Sequence, residues 1–314
     1  MKISWIGNHK EGVIAFCKVI EKNGIDAFIT LDEASFSKRS AGSREYIDVC
    51  KKNSIPVYYV NTIKDDKALE IIVNLKPDLL VVLGWNEILP ERLLEIPTIG
   101  TVGTHAALLP HNRGSAPINW AIIHGEEVTG NTMMWLSKDI DAGAIIDQMV
   151  FPITLFDSCK TLYERVAETN AEMIVKLIDS LEKGIKPVLP IENKTDENIL
   201  PRRRPKDGLI NWEQGAKNIY DFIRALTLPY PGAFTFLDGK KFIFWEASIL
   251  PIKSNEKPGT IIGTGYGFTN NGTGVCVATR DDTIWVTKIE DVDGIVYSNQ
   301  NLFELGLKGV FENE

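Results

Sequence analysis

Along the first hundred positions, apolar residues fall into short continuous runs separated by amphipathic stretches. The runs at 3–7, 27–31, 56–60 and 79–84 read as buried strands. Between them, about 12–23, 43–52 and 64–75 carry helical spacing, and in the last Ala68, Ile71, Ile72 and Leu75 share one face. Strands alternating with helices predict a parallel sheet covered on both faces. The pattern then changes character. A short strand ends near His105, a proline- and glycine-marked turn follows, and a helix starts at about Ser115, with Ser115 suited to the N-cap and Pro117 to the first turn. A further strand, about 129–137, ends in an acidic turn at Asp139 and Asp141.

The longest helical stretch is about 159–183, where Leu162, Val166, Met173, Leu177 and Leu181 trace an apolar stripe that Gly184 ends. Residues 184–204 are polar and proline-marked, which is linker texture. Beyond them one helix, about 213–226, precedes short strands near 259–264, 274–279 and 283–288. Asp238-Gly239 between two apolar runs signals a hairpin. The expected architecture is an α/β, Rossmann-like N-terminal domain over 1–190, a linker over 191–204, and a smaller C-terminal domain over 205–314. That last domain reads as an open, OB-like β-barrel.

Composition narrows the picture a little. The chain has 314 residues, 44% of them hydrophobic and 24% charged, as in ordinary globular proteins. A formal net charge of −8 gives no whole-chain footprint for nucleic acid, and no apolar run approaches the ~20 residues that span a bilayer. The start Met1-Lys2 leads straight into a strand pattern, not a secretory signal, so the cytoplasm is the expected location. Cys17, Cys50, Cys159 and Cys276 are far apart and show no zinc spacing, so free thiols and no metal site are expected.

The chemistry concentrates between Thr101 and Gln148. If the strands ending at His105 and near Ser137 are neighbours, His105 and Asp141 meet at the carboxyl ends of both, where open α/β sheets place ligands. A histidine facing a carboxylate in a cleft is acid–base equipment. The connector Gly7-Asn8-His9-Lys10-Glu11-Gly12 sits where a strand meets a helix N-terminus. It is neither a Walker loop nor a dinucleotide fingerprint, so it reads equally as a plain glycine-rich connector. Arg202, Arg203 and Arg204 read as a solvated linker face or as a phosphate clamp.

The stretch H-A-A-L-L-P-H-N-R-G, followed by D-A-G-A-I, resembles the signature of the folate-dependent formyltransferases. The family pattern is Asn-x-His-x-Ser-Leu-Leu-Pro-x-x-Arg-Gly with a later Asp-x-Gly. His105, Leu108, Leu109, Pro110, Arg113, Gly114 and Asp141 match it. The resemblance extends through R-R-R-P-K-D-G-L-I-N-W and P-Y-P-G-A-F to nearly the whole chain. It implies transfer of a formyl group from N10-formyltetrahydrofolate to an amine, without a metal. It implies that His105 and Asp141 are catalytic, and that Leu83, Gly84, Trp85, Asn86, Ser137 and Ile140 bind the folate. Asn8, His9, Lys10 and Arg113 are implied for the second substrate. Gly103 stands where the family has its asparagine, one of two donors to the oxyanion. Losing such a donor typically costs on the order of 10²–10³ in rate. Asn131, at a place where the family usually has an apolar residue, is a candidate replacement, a purely structural amide being its other reading; Thr101, Thr104 and a water are further candidates.

Three functions are compatible with this sequence. An amino-sugar nucleotide N-formyltransferase ranks first, since R-G-S-A-P-I-N-W resembles the sugar-nucleotide enzymes and basic segments are few, S-F-S-K-R-S being the notable one in the N-terminal half. Methionyl-tRNA formyltransferase ranks second. A folate- or nucleotide-binding relative that no longer turns over, because of Gly103, is the third. A sugar nucleotide and folate are the expected partners, no membrane is expected, and a homodimer is compatible with all three.

Overall fold

The computed structural model describes residues 1–37, 42–191, 199–266, 273–298 and 301–313. Strands β1 (Ile3–Ile6), β2 (Ala27–Leu31), β3 (Val57–Val60), β4 (Leu79–Val82) and β5 (Gly100–His105) lie parallel; β6 (Val128–Trp135) and β7 (Ile145–Pro152) follow antiparallel. The sheet order is β3-β2-β1-β4-β5-β6-β7. Helices α1 (Val13–Lys22), α2 (Glu33–Phe36), α3 (Glu45–Lys52), α4 (Asp66–Leu75), α5 (Glu91–Leu94), α6 (Pro117–Ile123) and α7 (Cys159–Glu182) connect them.

Strand alternation explains the two faces. Trp5, Phe28 and Val81 pack with Phe16 of α1, Tyr46 of α3 and Met173 of α7. Ile6, Ile29, Leu80 and Val82 face the other way, against Ala68 and Ile72 of α4 and Leu93 of α5. The sequence pattern anticipates these strands and most of the helices. It misses β7, which alternates weakly, and the four-residue helices α2 and α5, which are too short for periodicity. Helix α6 begins at Pro117, two residues after the expected cap; Ser115 instead donates its backbone N–H to the Leu200 carbonyl at 3.1 Å.

The second region holds α8 (Ala216–Leu226) and six antiparallel strands: β8 (Ala233–Leu237), β9 (Lys240–Leu250), β10 (Ile261–Tyr266), β11 (Thr273–Ala278), β12 (Thr283–Glu290) and β13 (Val296–Ser298). The order is β10-β11-β12-β9-β8, with β13 beside β12. Both edges of that path meet the C-terminal segment, through bridges Phe236–Glu312 and Thr260–Val310. An open barrel results, because a short segment bridges the edges that a flat sheet would leave bare. Its core stacks Trp212 on Phe311, ring centroids 5.5 Å apart, with Phe244 edge-on. The Asp238-Gly239 hairpin forms as expected, both residues taking positive φ (51° and 70°).

Contacts divide the chain into two compact units that interleave along the sequence. One comprises Met1–Pro117, Val128–Pro152 and Leu162–Pro201, the other Ile118–Glu127, Ile153–Thr161 and Arg202–Glu314. Long-range hydrogen bonds draw two N-terminal segments into the second unit. Asn119 Nδ2 donates to the Ala225 carbonyl at 2.5 Å, and Arg224 Nη1 donates to the Thr154 and Asp157 carbonyls at 2.7 and 2.6 Å. The arginine run also lies here: the Arg203 guanidinium covers the Trp120 ring at 4.7 Å, so that residue packs on an aromatic face and is not a free solvated charge. Among the described residues no helix is long and apolar enough to cross a membrane.

Helix α8 has no side chain of its own at its N-cap. Asp281, in the turn between β11 and β12, accepts the Ala216 backbone N–H at 2.8 Å instead. That bond, first among several, holds the Asp281 carboxyl below its usual range. Asp281→Ala is expected to cost about 1 kcal/mol in a melting experiment at neutral pH. Because the folded pKa is depressed, this contribution exists above the ordinary carboxylate range and fades as pH falls through the folded value. Wild type and variant should therefore converge in acid.

Candidate active site

His105 ends β5, opposite Thr132 of β6, which in turn pairs with Gln148 of β7. These three residues form one layer that fastens the loop after β5. Thr132 Oγ1 donates to the Ala107 carbonyl at 2.6 Å and accepts the Leu109 N–H at 3.1 Å. Gln148 Nε2 donates to the Leu109 carbonyl at 2.7 Å. Neither residue is singled out by the sequence, because their role appears only once the register is known.

Asp141 reaches His105 by a route the sequence does not suggest. Strand β6 runs antiparallel to β5 and ends at Trp135, opposite Val102, so the two carboxyl ends are not adjacent. The loop between β6 and β7 turns back to bring the carboxylate to the histidine. Asp141 Oδ2 accepts the Gly114 N–H at 3.0 Å and lies 3.5 Å from His105 Nδ1. Arg113, itself buried, donates Nη2 to the Ile140 carbonyl and clamps the same loop. Gly143 makes the path sterically feasible: a Cβ there would lie 1.7 Å from the Trp135 carbonyl oxygen. That is the physical reason for the glycine two residues after Asp141.

The His105 ring is largely buried, and its Nε2 lies 2.7 Å from the Asn112 carbonyl oxygen. A carbonyl oxygen only accepts hydrogen bonds, so Nε2 faces Asn112 as the donor.

On the adjacent strand, β4 pairs Val82 with Gly103, so Leu83–Asn86 leave the sheet level with His105. Gly84 adopts φ +69°, and its carbonyl accepts the N–H groups of Asn8 and His9, each at 2.8 Å. The 8–12 connector and the 83–86 turn are thus joined. Trp85 packs against the cluster around Ile6 and Leu80, and its Nε1 is buried with no hydrogen-bond partner among the described residues. Glu87, unremarked in the sequence, anchors this turn by accepting from Thr62 Oγ1 at 2.8 Å and the Ile63 N–H at 2.9 Å. Asn86, Ser137 and Ile140 are exposed, and Ser137 Oγ donates to the Asp139 carbonyl at 3.2 Å. His9 Nδ1 lies 3.6 Å from Glu11 Oε1. The Lys38, Arg39 and Ser40 of the basic segment lie outside the described residues.

The structure corrects the expectation for Asn131. Strand alternation puts it on the face opposite Gly103, whose cross-strand partner is Met134. Its amide is committed elsewhere, donating to Asn170 Oδ1 at 2.7 Å and Thr169 Oγ1 at 3.0 Å. Leu136 fills the space instead: a Cβ on Gly103 would meet its Cδ2 at 2.9 Å. Thr101, two residues back on the Gly103 face, has a buried hydroxyl with no hydrogen-bond partner among the described residues.

Burial pushes the Cys50 and Cys159 thiols up to about 12, so neither offers a thiolate at neutral pH. Among the described residues no group of three or more His, Cys, Asp or Glu side chains is arranged to hold a metal ion.

Comparison with known proteins shows the family. The formyl transferase family model matches residues 21–178, and that of the formyl transferase C-terminal domain matches 203–304. The chain belongs to the formyl transferase family. Among formyl transferases it is 35% identical over 267 residues to the bifunctional polymyxin resistance protein ArnA of Wigglesworthia glossinidia brevipalpis, covering 83% of this chain but only 40% of that protein. It is 34% identical over 295 residues to the methionyl-tRNA formyltransferase of Clostridium acetobutylicum, covering 92% of each. Its fold resembles that of the N-formyltransferase from Helicobacter canadensis in complex with folinic acid and dTDP-3-aminofucose. That likeness has a TM-score of 0.61 at 17% identity and covers 91% of this chain and 98% of that one. Both His105 and Asp141 lie within the N-terminal formyl transferase match, while the 8–12 connector precedes it.

Proposed function

We propose that the chain moves a formyl group from N10-formyltetrahydrofolate to a primary amine, with His105 and Asp141 as its catalytic pair. The observation that carries this reading is the contact between the buried His105 ring and the partly exposed Asp141 carboxylate beside the 83–86 turn. The His105 ring exchanges the Asn112 carbonyl for the formyl oxygen and donates Nε2–H to the charge that builds there. Asp141 orients the ring and assists removal of the amine's proton. Leu83, Gly84, Trp85 and Asn86 are assigned to the folate, together with Ser137 and Ile140. One feature fits such a ligand: the Trp85 indole N–H is a buried donor in want of an acceptor. Asn8, His9, Lys10 and Arg113 are assigned to the amine-bearing substrate.

The acceptor best supported is methionyl-tRNA, which reverses the ranking drawn from sequence. Its support is the match to methionyl-tRNA formyltransferases over both domains and 92% of each chain, against 40% of the ArnA relative. The amino-sugar nucleotide remains the second reading, favoured by the net charge of −8 and by Arg203 being engaged on Trp120. Salt separates the two acceptors. With charged initiator tRNA, formylation should occur and binding should weaken on the order of 10³-fold between 50 and 200 mM salt. Formylation of a dTDP-, UDP- or GDP-amino sugar with little salt dependence, and none of tRNA, would establish the second reading instead.

A further inference from the structure

Away from the catalytic face, two buried amides stand out on the side of the sheet that α7 covers. Asn131 and Asn170 are both fully buried. Asn131 Nδ2 donates to Asn170 Oδ1, and Asn170 Nδ2 donates to the backbone carbonyl of Glu11 at 3.1 Å. A chain of amides therefore runs from β6 through α7 to the turn Lys10–Gly12. An apolar pair would fill these positions at lower cost, and the Asn131 Oδ1 is left without a partner among the described residues. Buried polar networks of this kind fix geometry more than they add stability.

The geometry they fix is that of the connector. Its other side is held by the Gly84 carbonyl, which accepts from Asn8 and His9, and by Tyr46 Oη, which donates to the His9 carbonyl at 3.0 Å. Within this frame Asn8 is 1% exposed, and both atoms of its amide are buried with no partner among the described residues. A fully orphaned amide is costly unless a ligand completes it.

We propose that Asn131 and Asn170 are positioning residues. They set the Lys10–Gly12 turn from behind, and so hold Asn8 where a polar, amine-bearing acceptor offering both a hydrogen-bond donor and an acceptor completes its amide. The proposal rests on the formyl-transfer reading for its substrate, and on the hydrogen-bond chain alone for its mechanics.

The test uses the full chain with Asn170→Leu, which keeps the branched shape and removes both bonds, and the double variant Asn131→Val/Asn170→Leu, which removes both amides of the chain. Hydrogen exchange of the ligand-free protein should show protection at residues 9–12 falling roughly fivefold, the ratio that one ordinary hydrogen bond commands, with β4 unchanged. Steady-state kinetics should show KM for the acceptor rising roughly five- to tenfold, with kcat and the folate KM within about twofold. The double variant should melt near the wild-type temperature and keep the KM defect. Unchanged exchange at 9–12 overturns the proposal, and so does a loosened turn with an unchanged acceptor KM. If the wild type formylates no acceptor, the formyl-transfer reading fails, and exchange alone decides whether the amide chain sets the turn.

Discussion

Replacing His105 by alanine, or Asp141 by asparagine, is expected to lower kcat by about 10²–10⁴-fold while the fold persists. The two changes act on one contact, the 3.5 Å approach of His105 Nδ1 to Asp141 Oδ2. Asparagine at 141 still accepts the Gly114 N–H, and it tolerates the positive φ of 52° that Asp141 adopts, so the loop keeps its path. What it loses is the carboxylate beside the His105 ring, and with it the acceptor proposed for the amine's proton. Alanine at 105 removes the ring that lies between the Asn112 carbonyl and Asp141. His105→Gln serves as its companion, since glutamine keeps a donor for the Asn112 carbonyl but cannot carry a proton. Steady-state kcat and melting temperature, measured together, check the prediction; near-wild-type turnover by either variant would remove that residue from the catalytic pair.

The second large effect concerns Gly103, where the family asparagine is missing. Asparagine introduced there brings its Cβ to 2.9 Å from Leu136 Cδ2, so the new side chain competes with that leucine for space. Gly103→Asn alone should therefore leave kcat unchanged or lower it. With Leu136→Ala beside it the amide has room, and kcat should rise by up to ~10²-fold over wild type, the worth of one oxyanion donor. The four proteins of this cycle should show strong coupling between positions 103 and 136. Asn131→Val, by contrast, should not couple to Gly103, because the two residues lie on opposite faces of the sheet. Additive, small effects at 103 and 136 would mean that Leu136 does not occupy the donor's space.

These two sites show what a sequence conveys and what it withholds. Strands β1 to β6 of the N-terminal sheet and the hairpin at Asp238-Gly239 are legible because period and turn chemistry are local. The pairing of His105 with Asp141 is legible as well, through the signature, but not its geometry: nothing local says that β6 runs antiparallel and that a loop must fold back over it. Asn131 shows the same gap. Alternation separates it from Thr132 in the sequence, yet only the register, with Thr132 opposite His105, reveals which of them faces the site. Leu136 looks like any strand-end leucine until Gly103 is seen beneath it. The interleaving of α6 and residues 153–161 with the C-terminal unit depends on hydrogen bonds such as Asn119 to Ala225, 106 residues apart. No window of periodicity spans that distance.

Transfer of label from N10-[¹⁴C-formyl]tetrahydrofolate, followed in a single turnover with excess protein, tests the central claim most directly. With charged initiator tRNA as acceptor and a parallel panel of amino-sugar nucleotides, wild type should place the formyl carbon on an acceptor amine. His105→Ala should leave it on the folate over the same interval. Label that stays on the folate with wild type and every acceptor, or that moves equally fast without His105, would contradict the account.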